Sequence, residues 1–573
     1  MLKISKALAP IHFALLLAEF RRSPLWVGLA FISALLPHYL EVLGLMALIP
    51  VIKAGESQAL ELHFGPWGDL FIRWSLNTWL TAMAVIFSLQ MLVNILRCWS
   101  GQRLAERIVM KRRCELFSAV IEQGYLRLVQ MDKGQMVQVF LREAEAVGKG
   151  ILGVVNILAG ACFLTTVLLL LLSWSWGLTL MLLPFALSVA LVMHLCNRYV
   201  RSWGEKSMEA QRSTASFLTE TWQNISIIIT FRREKSRRAA LNQVVEHQST
   251  WDLRREALYY ISLHTSRYVI FITLVLILFL HSQLPPQLWL GASELVVFLL
   301  VLSRLQPVLS TVSGDFSNVV LGAIAENRLK ELEQRRALCP VPHGNQKANF
   351  NRGIVLQELS YTYPHKKHPV FQTLNARFSP NSLNVMVGPS GCGKSTLLHL
   401  LAKLHGGYQG AIIVDGCEYA HLDQEDFFSK VAVVPQEGDF FMLSVRDNLQ
   451  FWQEGLDKGE DQKDAQIWAV AKLCGLREGL EALPEGLNTS MLSAGKNFSG
   501  GQKKRLAIMR ALLHEPTLLL LDEPTAGLDD ISAQGLLDLL KKLSQTMTLV
   551  VVSHDALLIQ HADVTLNMAG AQQ

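Results

Sequence analysis

Residues 383–400 read LNVMVGPSGCGKSTLLHL, and this stretch decides the fold of the C-terminal part of the chain. Its first five residues predict a buried strand, Gly388 to Gly393 predict a loop, and the residues that follow predict the opening of a helix. Glycines in such a loop let backbone N–H groups approach phosphates, and the helix N-terminus adds partial positive charge. We therefore expect Lys394 to reach the β and γ phosphates of a nucleotide and Ser395 to ligate Mg²⁺.

The second half of the same site is predicted at residues 518–523, which read LLLLDE. This apolar strand presents two adjacent acids at its carboxyl end, where open α/β sheets bind ligands. Asp522 is expected to hold the metal, directly or through water, and Glu523 to polarise the attacking water as a general base. A capped strand end is the alternative interpretation, and the pair of acids after four leucines favours the nucleotide site.

The composition divides the chain into two regions that face different solvents. Of the 573 residues, 50% are hydrophobic and 18% are charged, against about 25% charged in an average soluble protein. The apolar excess lies in about the first 320 residues. A net charge of +5 with no basic stripe interleaved with aromatic residues does not predict nucleic-acid binding. The eight cysteines form no CxxC pair, which is typical of reduced thiols.

Six apolar runs are long enough to cross a bilayer, which takes about 20 helical residues. These spans are predicted near residues 25–49, 76–96, 151–172, 177–195, 258–280 and 295–315. Lys and Arg cluster in the connections 97–149 and 198–255, whereas the connectors 173–176 and 281–294 contain neither. Because basic connections stay in the cytoplasm, both of them and both termini are predicted to be cytoplasmic. Helical periodicity at Leu104–Val120 and Thr214–Ile229 predicts that membrane helices continue far into the cytoplasm.

Further motifs make residues 351–573 resemble the nucleotide-binding domain of ABC transporters. Residues 497–502 read NFSGGQ, similar to the family's signature motif, and residues 526–529 read AGLD, similar to its D-loop. The resemblance implies three catalytic residues: Glu523, the switch histidine His554 and the Q-loop residue Gln436. It implies Mg²⁺ ligation by Ser395, Gln436 and Asp522. It implies ATP binding by Tyr363, Gly388, Ser390, Gly391, Gly393, Lys394, Ser395, Thr396, Ser499, Gly500, Gly501, Gln502 and Asp529. Tyr361 competes with Tyr363 for the role of stacking on adenine.

The resemblance implies a machine made of two chains. Two such domains sandwich two ATP molecules, and each site combines one chain's P-loop with the other chain's signature motif. Six spans in residues 1–325, a linker at 326–350 and one nucleotide-binding domain resemble an exporter half-transporter. The predicted fold is therefore a membrane α-helical bundle with long cytoplasmic extensions fused to an α/β P-loop NTPase domain. The expected partners are a second identical chain, membrane lipid and an amphipathic substrate: a lipid, a lipid-linked saccharide or a peptide, exported across a bacterial-type inner membrane.

Several questions stay open at the level of the sequence. The chain is compatible with one half of a heterodimer, and with an ATP-gated membrane regulator that does not transport. Ser493 occupies the place where exporters usually carry a glutamate in a loop that contacts cytoplasmic helices. Charged groups inside spans are costly and usually face a cavity or a partner. Five of them are candidates for substrate binding or for structural pairing between helices: His38, Glu41, His264, Arg267 and Arg304.

Overall fold

The computed structural model carries side chains and describes most of the chain. The described residues are 14–46, 76–174, 176, 179, 183–281, 299–334, 344–364, 366–436, 438–451, 460–492, 495 and 497–568. The chain divides into two compact units, Met1–Glu122 with Gln130–Arg335, and Gln123–Val129 with Arg336–Gln573. The predicted linker at 326–350 and domain bounds stay a prediction.

The described part of the first unit is helical. Its helices, in chain order, are α1 (Pro24–Met46), α2 (Leu76–Ile121), α3 (Tyr125–Gln130), α4 (Lys133–Gln138), α5 (Ala144–Trp174), α6 (Leu183–Gln223), α7 (Ile225–Thr230), α8 (Glu234–His281) and α9 (Leu305–Glu333). A π-helical turn, Val139–Glu143, joins α4 to α5. α3 begins inside Gln123–Val129, the short segment that groups with the second unit.

Four helical segments among the described residues are long and apolar enough to cross a membrane. They are Pro24–Leu45, Asn77–Ile121, Lys133–Ser173 and Leu299–Glu333, and they coincide with the first, second, third and sixth predicted spans. The described residues of the fourth and fifth predicted spans are helical, in α6 and α8. On α2, Val85, Met91 and Leu92 leave 66%, 67% and 63% of their surfaces exposed. Lipid rather than water is the solvent that suits such side chains.

The longest helices extend beyond the thickness of a bilayer. α2 has 46 residues, which at 1.5 Å per residue makes it about 69 Å long, against about 30 Å for the hydrocarbon core. The helix predicted at Leu104–Val120 is thus the continuation of a membrane helix. The helix predicted at Thr214–Ile229 differs, because α6 ends at Gln223 and α7 begins at Ile225. The side chain of Asn224 donates to the carbonyl oxygen of Glu220, a local bond that competes with helix continuation.

Close backbone approach joins α5 to α9. At Gly153 an added Cβ would lie 2.8 Å from the carbonyl oxygen of Asp315, so only glycine fits without a shift. Small residues at such crossings let membrane helices pack without a hydrophobic driving force. Toward the other end, Phe163 of α5 and Val308 of α9 belong to one buried apolar cluster.

The second unit contains two sheets. The antiparallel sheet has the strand order β2-β1-β4-β5, and the parallel sheet has the order β6-β7-β8-β3-β9. The strands are β1 (Ile354–Tyr361), β2 (Phe371–Phe378), β3 (Leu383–Val387), β4 (Gln409–Val414), β5 (Cys417–Glu418), β6 (Val431–Val434), β7 (Leu518–Asp522), β8 (Thr548–Val552) and β9 (Val564–Asn567). The helices are α10 (Lys394–Leu401), α11 (Gln424–Lys430), α12 (Val445–Gln450), α13 (Glu460–Leu473), α14 (Arg477–Glu481), α15 (Gly500–Leu512), α16 (Asp530–Ser544) and α17 (Ala556–Gln560).

The parallel sheet is buried on both faces, which explains its leucine-rich strands. In β7, Leu519 and Leu521 belong to one hydrophobic core, while Leu518 and Leu520 belong to the core on the other face. Because β6, β7, β8 and β3 run parallel, their carboxyl ends lie along one edge of the sheet. Each of the predicted catalytic motifs follows one of these ends. The helical first unit and the α/β second unit agree with the predicted fold class.

Candidate nucleotide site

The phosphate-binding loop predicted from the sequence connects β3 to α10, as expected. Gly393 has a φ of +101°, and a Cβ there would lie 2.6 Å from Cγ1 of Val370. Conformation and packing therefore both require glycine. The Lys394 side chain is buried and its Nζ donates to the carbonyl oxygens of Gly388 at 2.8 Å and Pro389 at 3.0 Å. Two acceptors thus hold the ammonium against the loop that would cradle phosphates.

Next to this loop, β7 ends at Asp522. The Asp522 carboxylate accepts a hydrogen bond from Ser395. Burial raises the pKa of Asp522, and the Ser395 hydrogen bond opposes that rise while the neighbouring Glu523 adds to it. A hydroxyl and a carboxylate are therefore adjacent at the carboxyl end of the strand, and both are hard oxygen ligands.

The three predicted catalytic side chains converge. Nε2 of Gln436 donates to Oε2 of Glu523 at 2.9 Å, and Nε2 of His554 lies 3.9 Å from Oε1 of the same carboxylate. Glu523 has a φ of +45°, a left-handed backbone that costs a non-glycine residue of order 1 kcal/mol. Its N–H donates to the carbonyl oxygen of Val552 at 2.9 Å. The strand that leads to His554 therefore also holds the backbone of Glu523.

The structure separates the two tyrosines that compete for the adenine-stacking role. Tyr361 is only 1% exposed, so its ring has no free face for a base. Tyr363 is half-buried, and its hydroxyl lies 3.0 Å from the hydroxyl of Thr396. Tyr363 stays the predicted adenine contact.

The signature residues form a helix cap. Ser499 Oγ accepts from the N–H of Gln502 at 3.2 Å, and Gln502 Oε1 accepts from the N–H of Ser499 at 2.9 Å. This reciprocal capping box starts α15 and leaves Gly500 and Gly501 in its first turn. Phe498, which replaces the usual leucine, is 7% exposed and belongs to the core. Within the described residues no hydrogen bond joins Ser499–Gln502 to the phosphate-binding loop.

Asp529 caps α16, accepting from the N–H of Ser532 at 3.3 Å, and its hydrogen bonds with Ser532 lower the pKa of its carboxyl group. Its D-loop role stays a prediction. Ser493 lies outside the described residues.

Comparison with known proteins agrees with this geometry. A family model described as the ABC transporter transmembrane region matches residues 28–306, and the ABC transporter model matches residues 371–526. The chain is an ABC transporter with a membrane domain fused to one nucleotide-binding domain. Nucleotide binding by the second unit and hydrolysis of ATP coupled to transport follow from this membership.

Individual relatives cover most of the chain. It is 26% identical over 453 residues to the heterocyst differentiation ATP-binding protein HepA of Nostoc, which covers 77% of this chain and 71% of that relative. It is 24% identical over 511 residues to a protein of Rickettsia typhi whose name describes an export ATP-binding/permease protein, covering 86% and 85%. A solved structure of a bacterial Atm1-family ABC exporter with ATP bound matches with a TM-score of 0.79 at 19% identity, covering 96% and 94%, which shows the shared fold.

Lys504 is a residue of this site that the sequence reasoning missed. It lies on α15, and its Nζ donates to the carbonyl oxygen of Glu523 at 3.0 Å and to that of Ala526. Burial lowers the pKa of Lys504, and the Glu523 carboxylate opposes that change. The sequence shows two consecutive lysines, Lys503 and Lys504, directly after the signature residue Gln502. Only the tertiary contact shows that Lys504 is the one that reaches the site. The ammonium ties the signature helix to the turn that carries Glu523.

The five in-span candidates do not gather at one place in the described residues. Arg304 Nη1 lies 2.7 Å from Oε1 of Glu41, which is the pairing between helices that the sequence left as an alternative. His38 lies against the ring of Phe163, with centroids 5.1 Å apart. His264 stacks on Tyr260, one helical turn earlier. The side chain of Arg267 lies outside what the structure describes.

We predict that Lys504→Met lowers the kcat of ATP hydrolysis about tenfold while the KM for ATP changes less than twofold. The variant keeps the apolar stem but removes a charged donor from two carbonyl groups, and such a loss costs about 1.5–3 kcal/mol. Steady-state ATPase kinetics in lipid nanodiscs measure both constants. Lys503→Met is the matched control, because no hydrogen bond of the Lys503 ammonium occurs among the described residues. Equal losses in the two variants would contradict the positioning role.

We predict that Glu41 and Arg304 are energetically coupled. Each single alanine variant strands a charge inside the membrane unit, whereas the double variant removes both charges. The double-mutant cycle should show a coupling of about 0.6–2 kcal/mol, measured as thermal stability in nanodiscs. The exchanged pair, Glu41→Arg with Arg304→Glu, should regain most of the stability. Additive effects and no regain would instead favour a direct role in substrate binding.

Proposed function

We propose that the chain is one of two identical halves of an ATP-driven exporter that moves an amphipathic substrate out of the cytoplasm by alternating access. The observation that carries the proposal is the convergence of Gln436 and His554 on the Glu523 carboxylate at the sheet edge that also bears the phosphate-binding loop. A complete set of groups for turnover favours hydrolysis over ATP-gated regulation. The names of the relatives support export, and lipids, lipid-linked saccharides and peptides are the proposed substrate classes.

Each of these residues has a proposed role in the hydrolysis of ATP. Lys394 exchanges its two carbonyl acceptors for phosphate oxygens and attracts their charge. Glu523 orients a water molecule and accepts its proton as the water oxygen bonds to the γ-phosphorus and the bond to the bridging oxygen breaks, which leaves ADP and phosphate. Gln436 holds the Glu523 carboxylate by its hydrogen bond, and His554, 3.9 Å from the same carboxylate, is proposed to contact the γ-phosphate.

The chemistry of the site fits Mg²⁺. At nucleotide sites Mg²⁺ typically takes one or two oxygen ligands from the protein and others from the phosphates. The adjacent Ser395 hydroxyl and Asp522 carboxylate suit the protein's share of these ligands. No group of three or more His, Cys, Asp or Glu that would form an all-protein cage exists among the described residues. When bound, the ion neutralises charge on the phosphates. Ser395 and Asp522 would hold it, with Gln436 reaching it through water.

Two identical chains are the simplest assembly that completes the site. Ser499–Gln502 cap their own helix and make no hydrogen bond to the phosphate-binding loop within the described residues, so a second chain is proposed to supply the signature residues. A heterodimer is the alternative, and the full motif set in this chain favours the homodimer. The basic connections 97–149 and 198–255 support a location in the cytoplasmic membrane with both termini in the cytoplasm.

We predict that Glu523→Gln binds ATP but hydrolyses it about 10²- to 10⁴-fold more slowly, because the amide cannot accept the proton. Phosphate release in proteoliposomes and retention of labelled ATP measure the two steps. Glu425→Gln, at an exposed position in the first turn of α11, is the matched control and should hydrolyse ATP normally. Wild-type protein that bound ATP without turnover would replace the exporter by the regulator.

A mixed dimer tests the shared sites. We predict no ATPase activity for Lys394→Ala or for Ser499→Arg alone, because both sites of each homodimer carry a defect. When the two variants are mixed before reconstitution, both defects fall in one site of the heterodimer and the other site is intact. ATPase activity should then return, to at most half of the wild-type rate per dimer. Activity no higher than that of the separate variants would mean that each chain forms its own site.

A further inference from the structure

The first unit contains a polar cavity of about 650 Å³. Its lining comes from α4, the π-helical turn and α5, from α6 and α8, and from α9. The charged residues in it are four acids and three bases: Glu143, Glu145, Glu256, Asp315, Arg142, Lys149 and Arg255. Of the residues of α6 and α8 that line it, Met208, Gln211 and Arg255 belong to the predicted cytoplasmic connection 198–255, and Glu256 follows it directly. Of the in-span candidates whose side chains the structure describes, His38, Glu41, His264 and Arg304 do not line this cavity.

Two of the four lining acids have an oxygen atom without a partner. The Glu143 side chain is 2% exposed, and its Oε1 accepts from Nε of Arg212 at 2.5 Å. Its Oε2 is buried and has no hydrogen-bond partner among the described residues. The Asp315 carboxylate is hydrogen-bonded by Asn156 and Asn318 and attracted by Arg97, yet its buried Oδ2 also lacks a partner within the described part of the chain.

The other two acids are compensated. Glu145 lies 2.7 Å from Nζ of Lys149, and Glu256 lies 3.1 Å from Nη2 of Arg255. A buried acceptor left without a donor costs about 1–3 kcal/mol, and more for a charged group. Of the four acids, Glu143 and Asp315 are therefore the two with a carboxylate oxygen that can accept a hydrogen bond from an N–H group outside the chain.

The backbone holds both acids in defined places. Glu143 is the last residue of the π-helical turn Val139–Glu143, and such turns are frequent at functional sites. Asp315 lies where α9 touches α5, because its carbonyl oxygen is 2.8 Å from the position of a Cβ on Gly153. The helices therefore fix the backbone of both acids in the cavity wall.

We propose that this cavity binds a primary ammonium group of the transported substrate, with Glu143 Oε2 and Asp315 Oδ2 as its acceptors. The inference rests on the proposed export function and narrows its substrate class to amphipathic amines. An ammonium group supplies three N–H donors and a positive charge, whereas a hydroxyl supplies one donor and no charge. Amine-bearing substrates are therefore selected over alcohols of the same apolar length.

The test uses the full-length protein in nanodiscs, with dodecylamine as the probe and dodecanol as the matched alcohol. Dodecylamine should stimulate ATPase activity at concentrations at which dodecanol does not. Glu143→Gln and Asp315→Asn should each raise the dodecylamine concentration needed for half-maximal stimulation about fivefold or more. Glu145 lines the same cavity but is already paired with Lys149, so the Glu145→Gln variant should respond to dodecylamine like the wild type.

Binding is measured separately from hydrolysis, by thermal stabilisation of Glu523→Gln protein with the same two probes. If the wild-type protein has no basal ATPase activity, the proposed function is refuted. Stabilisation by dodecylamine but not by dodecanol would then still support the amine site. Equal responses to dodecylamine and dodecanol, or an unchanged response in Asp315→Asn, would overturn the inference and leave the exporter intact. If Glu143→Gln fails to fold because Arg212 loses its partner, Asp315→Asn decides.

Discussion

The hydrogen bonding of β6, β7, β8 and β3 as parallel neighbours is the constraint on which the nucleotide site depends. Parallel pairing brings the carboxyl ends of these strands to one edge of the sheet. The phosphate-binding loop leaves this edge after β3, and the loops after β6, β7 and β8 contain Gln436, Glu523 and His554. These residues are far apart in the chain, and no local interaction would hold them together. The apolar strands are thus as necessary to the chemistry as the polar side chains, because burial on both faces stabilises the sheet that brings these ends together.

At that edge Glu523 is held from several directions. Its N–H is bonded to β8, its carbonyl oxygen to Lys504 on α15, and its carboxylate to Gln436 after β6. A residue with left-handed backbone persists only when its surroundings determine its conformation, and these three bonds do so. Since α15 begins at the signature motif and its Lys504 bonds the Glu523 carbonyl oxygen, a displacement of Ser499 in the proposed dimer would have a short covalent and hydrogen-bonded route to the proposed general base.

The sequence was informative where the relevant physics is local. A strand, a glycine loop and a helix in succession predict phosphate binding at Lys394, and runs of apolar residues predict spans, four of which coincide with helices that are long and apolar enough to cross a bilayer. It was less informative where a side chain's partner is distant. Three features all depend on tertiary packing: the bond from Lys504 to the Glu523 carbonyl oxygen, the pairing of Arg304 with Glu41, and the burial of Tyr361 beside the half-buried Tyr363. The break between α6 and α7 was missed because Asn224 interrupts an otherwise helical pattern through one side-chain bond.

In the first unit, some charged groups pair with each other and maintain the fold, whereas others have an atom to which a substrate could bind. Glu41 Oε1 and Arg304 Nη1 already pair with each other, and a substrate could bind these two atoms only by breaking the contact in a medium where an unpaired charge is expensive. Glu143 differs because Arg212 occupies only one of its oxygens, and Asp315 differs because its remaining acceptor is also unpartnered among the described residues. A ligand donor at these atoms gains a hydrogen bond without displacing one. Selectivity for an amine therefore requires no rearrangement of the helices that α5 and α9 already hold in close contact.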